Sequence, residues 1–502
     1  MPDLNKLLRQ SASVAFAVLG WCPFAAAQKP DDKDSAKPNV VVILADDLGW
    51  ADVGYHDRRS QTPNIDALAR GGVELDRFTV APMCSPTRAA LLTGRYPIRF
   101  GLARSVIPPH RDYGIPPQER TLPERLAETG YDHRGIFGKW HLGHLRPEWH
   151  PLSNGFTHFR GHYNGAIDYF SHDRDGERDW HVDWQPSDQA GYSTDLVADA
   201  AADWIKQSAA DDAPYFCYVA FNSPHSPYQA KPEDLARFAS MPGDPTAVDG
   251  PREGEGKINR ETKRLAAAAM IWSLDEGIGR IVEAIEASGE ADNTIVWFAS
   301  DNGGVGAFPN SNKPLRGAKL DVFEGGVRVP ACVRWPARWP GGRKVTEAMN
   351  CIDLLPTVLA AAGVPADFAG DPNRPVDGVD LGGILSGTQP GLAPRDLYFY
   401  QGQGGPDQEE IAIATPDWKL VVLGPDLSEV RGLTADHTAT LFRFPDDLLE
   451  KDDVAAKNSD VVQRLTEKLI AFRGLQPADG VPPYSQRDKS FVPPVDWKLS
   501  PR

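Results

Sequence analysis

In the run PMCSPTRAALLTG, residues 82–94, Cys84 stands directly before Ser-Pro-Thr-Arg at the opening of an apolar segment. Proline at the first helical position, followed by small and apolar residues, predicts a helix start. A side chain there faces unpaired backbone N–H groups and the positive end of the helix dipole, which suits an anion or an activated nucleophile. The plainer reading of a single cysteine is a small buried hydrophobe. Two further groups carry chemistry: VVVILADD ends in Asp46 and Asp47, and TIVWFASDN ends in Asp301 and Asn302. Such residues after a strand can simply form turns. Were the two strands neighbours, four oxygen-bearing side chains would converge, and three carboxylates that close cannot all stay ionised without a cation. All-oxygen ligation favours Ca²⁺ or Mg²⁺ over Zn²⁺.

The elements that must position these groups follow an α/β pattern. NVVVILA is a short continuous apolar run, as expected for a strand buried on both faces of a parallel sheet. TPNIDALARGG reads as a helix with Thr62 as N-cap and Gly71 as a stop. PYFCYVAF, a helical stretch from about Arg260 to Ser288, NTIVWFAS and VRVPACVRW continue the alternation. The expected fold is a large, mostly parallel central sheet flanked by helices, over residues 38–389. In that fold, ligands gather outside the carboxyl ends of the strands. From residue 390 onward, DLYFY, IAIATPDWKLVVL and TATLFRF precede one helix near residues 460–472. That order predicts a smaller antiparallel-sheet domain with a packed helix and an extended, proline-rich tail.

Length and charge narrow the partners. The chain has 502 residues, enough for a large core, and a net charge of −16 with no block of Lys and Arg. That balance argues against nucleic acid. Lys6 and Arg9 precede an apolar stretch ending in small residues, which reads as a signal peptide over residues 1–27, followed by a polar leader at 28–37. No later stretch is long and apolar enough to span a membrane, so the expected product is exported, periplasmic or secreted. The five cysteines form neither a disulfide framework nor a zinc pattern, and Cys217 and Cys332 sit in strand-like runs.

Taken together, the blocks resemble the type I sulfatases, formylglycine-dependent, arylsulfatase-like enzymes of the alkaline phosphatase superfamily. PMCSPTRAALLTG fits their first signature, with the core Cys84, Pro86 and Arg88. GYDHRGIFGKWHLG is similar to the second, with His133 where Ser or Thr is usual; NSPHSP, SDNGG and LRGAKLDVFEGGVRVP are further matching blocks. The resemblance implies that a maturation enzyme oxidises Cys84 to formylglycine (3-oxoalanine), whose hydrate is an oxygen nucleophile. It implies a cation, Ca²⁺ or Mg²⁺, on Asp46, Asp47, Asp301, Asn302 and one oxygen of residue 84. Arg88 would brace nucleophile and carboxylates. Lys139 would hold sulfate oxygens. His141 would take a proton from the second hydroxyl of the diol, and His225 or Lys319 would give one to the leaving group. Because Lys139 and His141 are two apart, an extended segment would point both to one side.

The implied reaction is hydrolysis of a sulfate monoester. A formylglycine-dependent phosphonate monoester hydrolase or phosphodiesterase is the second reading, and a sulfated-glycan-binding protein the non-enzymatic third. For the substrate, six of the 12 histidines fall between His144 and His181, among aromatics that include Trp180 and Trp184. Without clear periodicity, that stretch reads as an excursion over the active-site mouth, with aromatic faces for sugar rings. The alternative is a loop packed by its own aromatics. The first reading predicts a sulfated saccharide in contact with Trp180 and Trp184, in preference to a simple aryl sulfate or other small sulfated molecule.

Overall fold

A ten-stranded sheet forms the centre of the molecule. Its strands are β1 (Asn39–Ala45), β2 (Val73–Leu75), β3 (His133–Lys139), β4 (His158–His162), β5 (His181–Val182), β6 (Gln185–Pro186), β7 (Tyr215–Ala220), β8 (Thr294–Ser300), β9 (Ala331–Arg334) and β10 (Arg343–Val345). Their order across the sheet is β10-β2-β9-β8-β1-β7-β3-β4-β5-β6. The five strands β8-β1-β7-β3-β4 are parallel, and antiparallel pairs occur toward both sides. Each residue of β1, β7 and β8 is buried, which is why these strands read as unbroken apolar runs rather than alternating ones. The computed structural model describes residues 36–501 except 212, 245–258, 309–310, 365–373, 487 and 489. The signal peptide and most of the leader expected from the sequence lie outside the described residues.

Helices cover both faces: α1 (Pro63–Gly71), α2 (Cys84–Thr93), α3 (Ser193–Ser208), α4 (Pro232–Arg237) and the long α5 (Arg260–Ala287). One apolar cluster joins α2 to Val40, Val42 and Leu44 of β1, and another joins α3 and α5 to Val41 and Ile43. Successive β1 residues thus feed opposite layers, as strand pleating requires.

A second sheet of four antiparallel strands, β11 (Leu397–Gln401), β12 (Glu409–Ala414), β13 (Trp418–Gly424) and β14 (Thr438–Arg443), packs with α6 (Ser459–Arg473). Lys37–Arg502 nevertheless form one compact unit. The proline-rich tail is docked: Val481 N–H donates to Gly101 O at 2.7 Å, and Trp497 is fully buried beside His144. Among the described residues, no helix is long and apolar enough to cross a membrane.

Candidate active site

β1 and β8 are parallel neighbours in a register that sets Ala45 opposite Ser300. Asp46–Asp47 and Asp301–Asn302 therefore leave the sheet side by side at its carboxyl edge. Asp47 N–H donates to Asp301 Oδ1 at 3.2 Å, and Asn302 Nδ2 donates to Asp47 Oδ1 at 2.7 Å. Asp47 turns away in the left-handed region, with φ of 67°. An aspartate tolerates that conformation better than most residues, and its use here frees the carboxylate to face the site.

Cys84 itself, not Pro86, is the first residue of α2, so the proline sits third. The helix ends at Gly94 in the left-handed conformation, whose N–H returns to Ala90 O at 2.8 Å. Cys84 is buried, and burial pushes its thiol up to about 12. The unmodified side chain is then a neutral thiol and a poor nucleophile near neutral pH. Arg88, one turn further and fully buried, donates to Asp301 Oδ2 through Nε at 3.2 Å and Nη2 at 2.9 Å, and to Lys139 O through Nη1 at 3.0 Å. Its Nη2 also lies 3.7 Å from Asp46 Oδ2.

The two lysines of the sequence reading meet the same carboxylates. Lys139 ends β3 and donates through Nζ to Asp46 Oδ2. Lys319 donates through Nζ to Asp47 Oδ1 at 2.6 Å and stands 3.5 Å from Cys84 Sγ. Burial acts to raise Asp47, but the Lys319 ammonium, which also donates to it, and the Asn302 amide overrule it and hold the carboxyl at about 2. Asp301 goes the other way: burial, with Asp46 beside it, pushes it to about 6.

The extended run stops at Lys139, which corrects the expectation that Lys139 and His141 share one strand side. His141 adopts φ of 57°, and its Nε2 donates to Ile107 O at 3.1 Å. Its Nδ1 is buried with no hydrogen-bond partner. A carbonyl can only accept, so Nε2 carries the hydrogen and Nδ1 keeps a bare lone pair. Burial, aided by Lys139 and Arg88, holds this imidazole neutral. Gly165 was not legible as a site residue. A Cβ there would lie 2.5 Å from both Cε1 and Nε2 of His141, so the close approach of the ring requires glycine.

His225 Nδ1 donates to Ser226 O at 2.6 Å, and its Nε2 lies 3.7 Å from Asp47 Oδ2. Burial, with Lys319 nearby, pushes it down to about 3. One ligand atom each of Asp46, Asp47, Cys84 and His225 lies within 4.8 Å of the others. This quartet takes in His225, which the sequence reading assigned to proton transfer, while Asp301 turns its Oδ2 to Arg88. The donor set suits a hard cation, because Asp46 Oδ1 and Asn302 Oδ1 are buried acceptors that no protein donor reaches.

The stretch between His144 and Trp184 corrects the expectation of an aromatic mouth. Trp180 is fully buried and stacks on His172 at 4.6 Å; Trp184 stacks on His150 at 3.7 Å. His144, His150, His162, His172 and His181 are buried as well. Their ring nitrogens meet backbone carbonyls, such as Pro109 O and Asp183 O, or the buried Asp179, 3.2 Å from His181. The loop is packed by its own aromatics. A cavity of about 510 Å³ opens elsewhere, between Asp47 and Pro224 on one side and the N-terminal half of α5 on the other.

The family model described as Sulfatase matches residues 38–364. The chain belongs to the sulfatase family. It is a type I sulfatase of the alkaline phosphatase superfamily, and its reaction is sulfate ester hydrolysis. It is 33% identical over 474 residues to N-acetylgalactosamine-6-sulfatase of Canis lupus familiaris, covering 86% of this chain and 84% of that one. It is 34% identical over 429 residues to arylsulfatase A of Homo sapiens, covering 76% and 74%. Among solved structures, Ps i-CgsB in complex with k-i-k-neocarrahexaose aligns with a TM-score of 0.75 and 28% identity, covering 88% of this sulfatase and 94% of that chain.

Proposed function

We propose that this sulfatase removes sulfate from a sulfated saccharide, through an oxygen nucleophile at residue 84 and a Ca²⁺ or Mg²⁺ ion held by Asp46, Asp47, Asp301, Asn302 and residue 84. The observation that carries the reading is the pair of unpartnered buried acceptors, Asp46 Oδ1 and Asn302 Oδ1, in the cluster that contains Cys84 and Lys319. Oxidation of Cys84 to formylglycine by a separate maturation enzyme replaces a neutral thiol with a hydrated aldehyde. Held there, a cation would supply a lowered pKa for a hydroxyl on residue 84 and charge stabilisation for the sulfate oxygens.

This chain's own side chains supply the rest. Lys139 and Lys319 bring two ammonium groups to the anion, and Arg88 fixes Asp301 so that the acidic cluster does not spread. His141, with its bare Nδ1, takes the proton from a hydroxyl of residue 84. Lys319, with Nζ 3.5 Å from Cys84 Sγ, and His225, with Nε2 3.7 Å from Asp47 Oδ2, flank the nucleophile, and one of them gives the proton to the bridging oxygen of the leaving group. The saccharide reading rests on the names of the relatives and on the cavity beside Asp47, which is large enough for more than a sulfate group. Export through the first 27 residues, a catalytic domain over 38–389 and a smaller domain over 390–502 complete the proposal.

Protein produced with a maturation enzyme should yield a residue-84 peptide lighter than its cysteine form and reactive with carbonyl reagents. It should turn over aryl sulfate faster than an aryl phosphonate monoester. Full activity with only a free thiol at 84 would overturn the mechanism, and preference for the phosphonate would favour the phosphonate hydrolase reading.

A further inference from the structure

The cavity beside Asp47 has an unusual charge arrangement for a chain of net charge −16. Two of the four carboxylates on its wall are paired with a cation from outside the trio that follows: Asp47 with Lys319 and Asp57 with Arg59. That leaves Glu261 and Asp52, which accepts from Gly49 N–H at 2.9 Å and feels the charge of Arg264. Against these two stand Arg237, Arg260 and Arg264, all exposed, and among the described residues none of the three forms an ion pair. Arg260 and Arg264 are four apart in the first turns of α5, so they share a face. Like charges at that spacing cost stability, and cations at a helix N-terminus oppose its dipole. Two of the heads are nonetheless fixed. Arg260 Nε donates to Ala307 O at 2.8 Å, and the Arg237 guanidinium lies over the Trp272 ring at 3.5 Å, which leaves its edge donors open. Tyr228 and Phe308, edge to face at 5.2 Å, add apolar surface.

We propose that this cavity is a second anion subsite: it holds a sulfate or carboxylate group of the saccharide other than the ester being cleaved, between Arg237, Arg260 and Arg264. Its wall includes Pro224, the residue before His225, so it adjoins the side where the leaving group departs. The inference rests on the reading of this chain as a saccharide sulfatase and names the substrate class more closely, as a saccharide with at least two anionic substituents. Planar guanidinium groups suit both oxyanions, since each can accept paired N–H donors.

The test is calorimetric binding to the Cys84→Ala protein, which cannot turn over the ligand. Three disaccharides are compared at low salt: one with a single sulfate ester, one with a second sulfate, and one with a single sulfate and a uronate carboxylate. The expected result is a Kd at least about tenfold tighter for a doubly anionic ligand. That advantage should fall to about twofold or less in Arg260→Gln/Arg264→Gln, with both exposed positions leaving the fold intact by circular dichroism. The sulfate and uronate arms identify which oxyanion is preferred. Equal affinity for all three ligands, or an equal loss for all three in the double variant, would overturn the subsite. Turnover of the singly sulfated disaccharide by mature protein is measured separately. Failure there with the binding preference intact would sink the saccharide sulfatase reading and leave the anion subsite standing.

Discussion

Lys419, on β13 of the small sheet, places Nζ 2.8 Å from Oε1 of Glu324, five residues beyond Lys319. The same ammonium lies 2.8 Å from Glu450 Oε1, while Glu324 N–H donates to Glu450 Oε2 at 2.8 Å and Arg316 Nη1 to Glu450 O at 3.1 Å. The segment that carries Lys319 is therefore clamped at both ends, by Lys419 of the second sheet and by Glu450 in the loop that follows β14. All three charged groups are buried. Replacing Lys419 by methionine leaves the buried Glu450 carboxylate without its cation and Glu324 with only Arg328, 3.9 Å away, which costs about 3–5 kcal/mol. Urea denaturation should show that loss, and adding Glu324→Gln and Glu450→Gln should recover part of it. A Lys419→Met protein as stable as the parent would refute the clamp.

Gly165→Ala tests the seat of His141. The new Cβ cannot share space with ring atoms 2.5 Å away, so the imidazole must swing off Ile107 O. Activity should fall by about 10²- to 10⁴-fold, the range of a displaced general base, while the far-ultraviolet circular dichroism stays that of the parent. Unchanged turnover would show that the ring can move without cost.

Which parts of this site could be read from the sequence follows from the range of the forces involved. Asp46, Asp47, Asp301 and Asn302 were legible because a buried parallel strand is an unbroken apolar run, and its carboxyl end is where such folds gather ligands. Cys84 and Arg88 were legible because four residues make one helical turn. The turn at His141 was not, since a left-handed residue leaves no mark when it is not glycine. Gly165 and Lys419 act through partners distant in sequence, and no local pattern reports them. The error over residues 144–184 has a different origin. Missing periodicity says that a segment is not one helix or strand; it does not say that the segment is exposed. Here His144, His150, His162 and His172 each place a ring nitrogen on a backbone carbonyl, and that allows them to be buried.

Those buried histidines set a pH dependence. His150 Nδ1 accepts from Leu152 N–H at 3.0 Å, and its Nε2 donates to Asp183 O at 3.0 Å, so both nitrogens are committed to the neutral ring. Burial pushes it down to about 3, and likewise His144 to about 4. An unfolded histidine titrates near 6.5. Between that value and the folded one the unfolded chain binds more protons, so stability rises with pH and is lost on acidification. Each histidine should contribute a slope of about 1.4 kcal/mol per pH unit as pH falls from about 6.5 toward 4. Denaturant midpoints measured across this range should fall steadily, and His150→Gln should make the slope shallower. A slope unchanged in His150→Gln would assign the acid sensitivity to other groups.

Trp180 separates a packing role from a substrate role. Its ring is fully buried, stacked on His172 and joined to a cluster that includes Phe137, Ile167 and Val197. Its Nε1 finds no acceptor. Trp180→Ala should cost about 3–5 kcal/mol through the cavity it leaves. Trp180→Phe removes the unsatisfied N–H along with part of the ring, and the two effects oppose each other. That variant should therefore lose much less stability than Trp180→Ala. Because no face of the indole reaches solvent, the KM of Trp180→Phe for a sulfated saccharide should equal that of the parent once both are expressed per folded enzyme. A KM raised several-fold for the saccharide, with an aryl sulfate unaffected, would return this residue to the substrate.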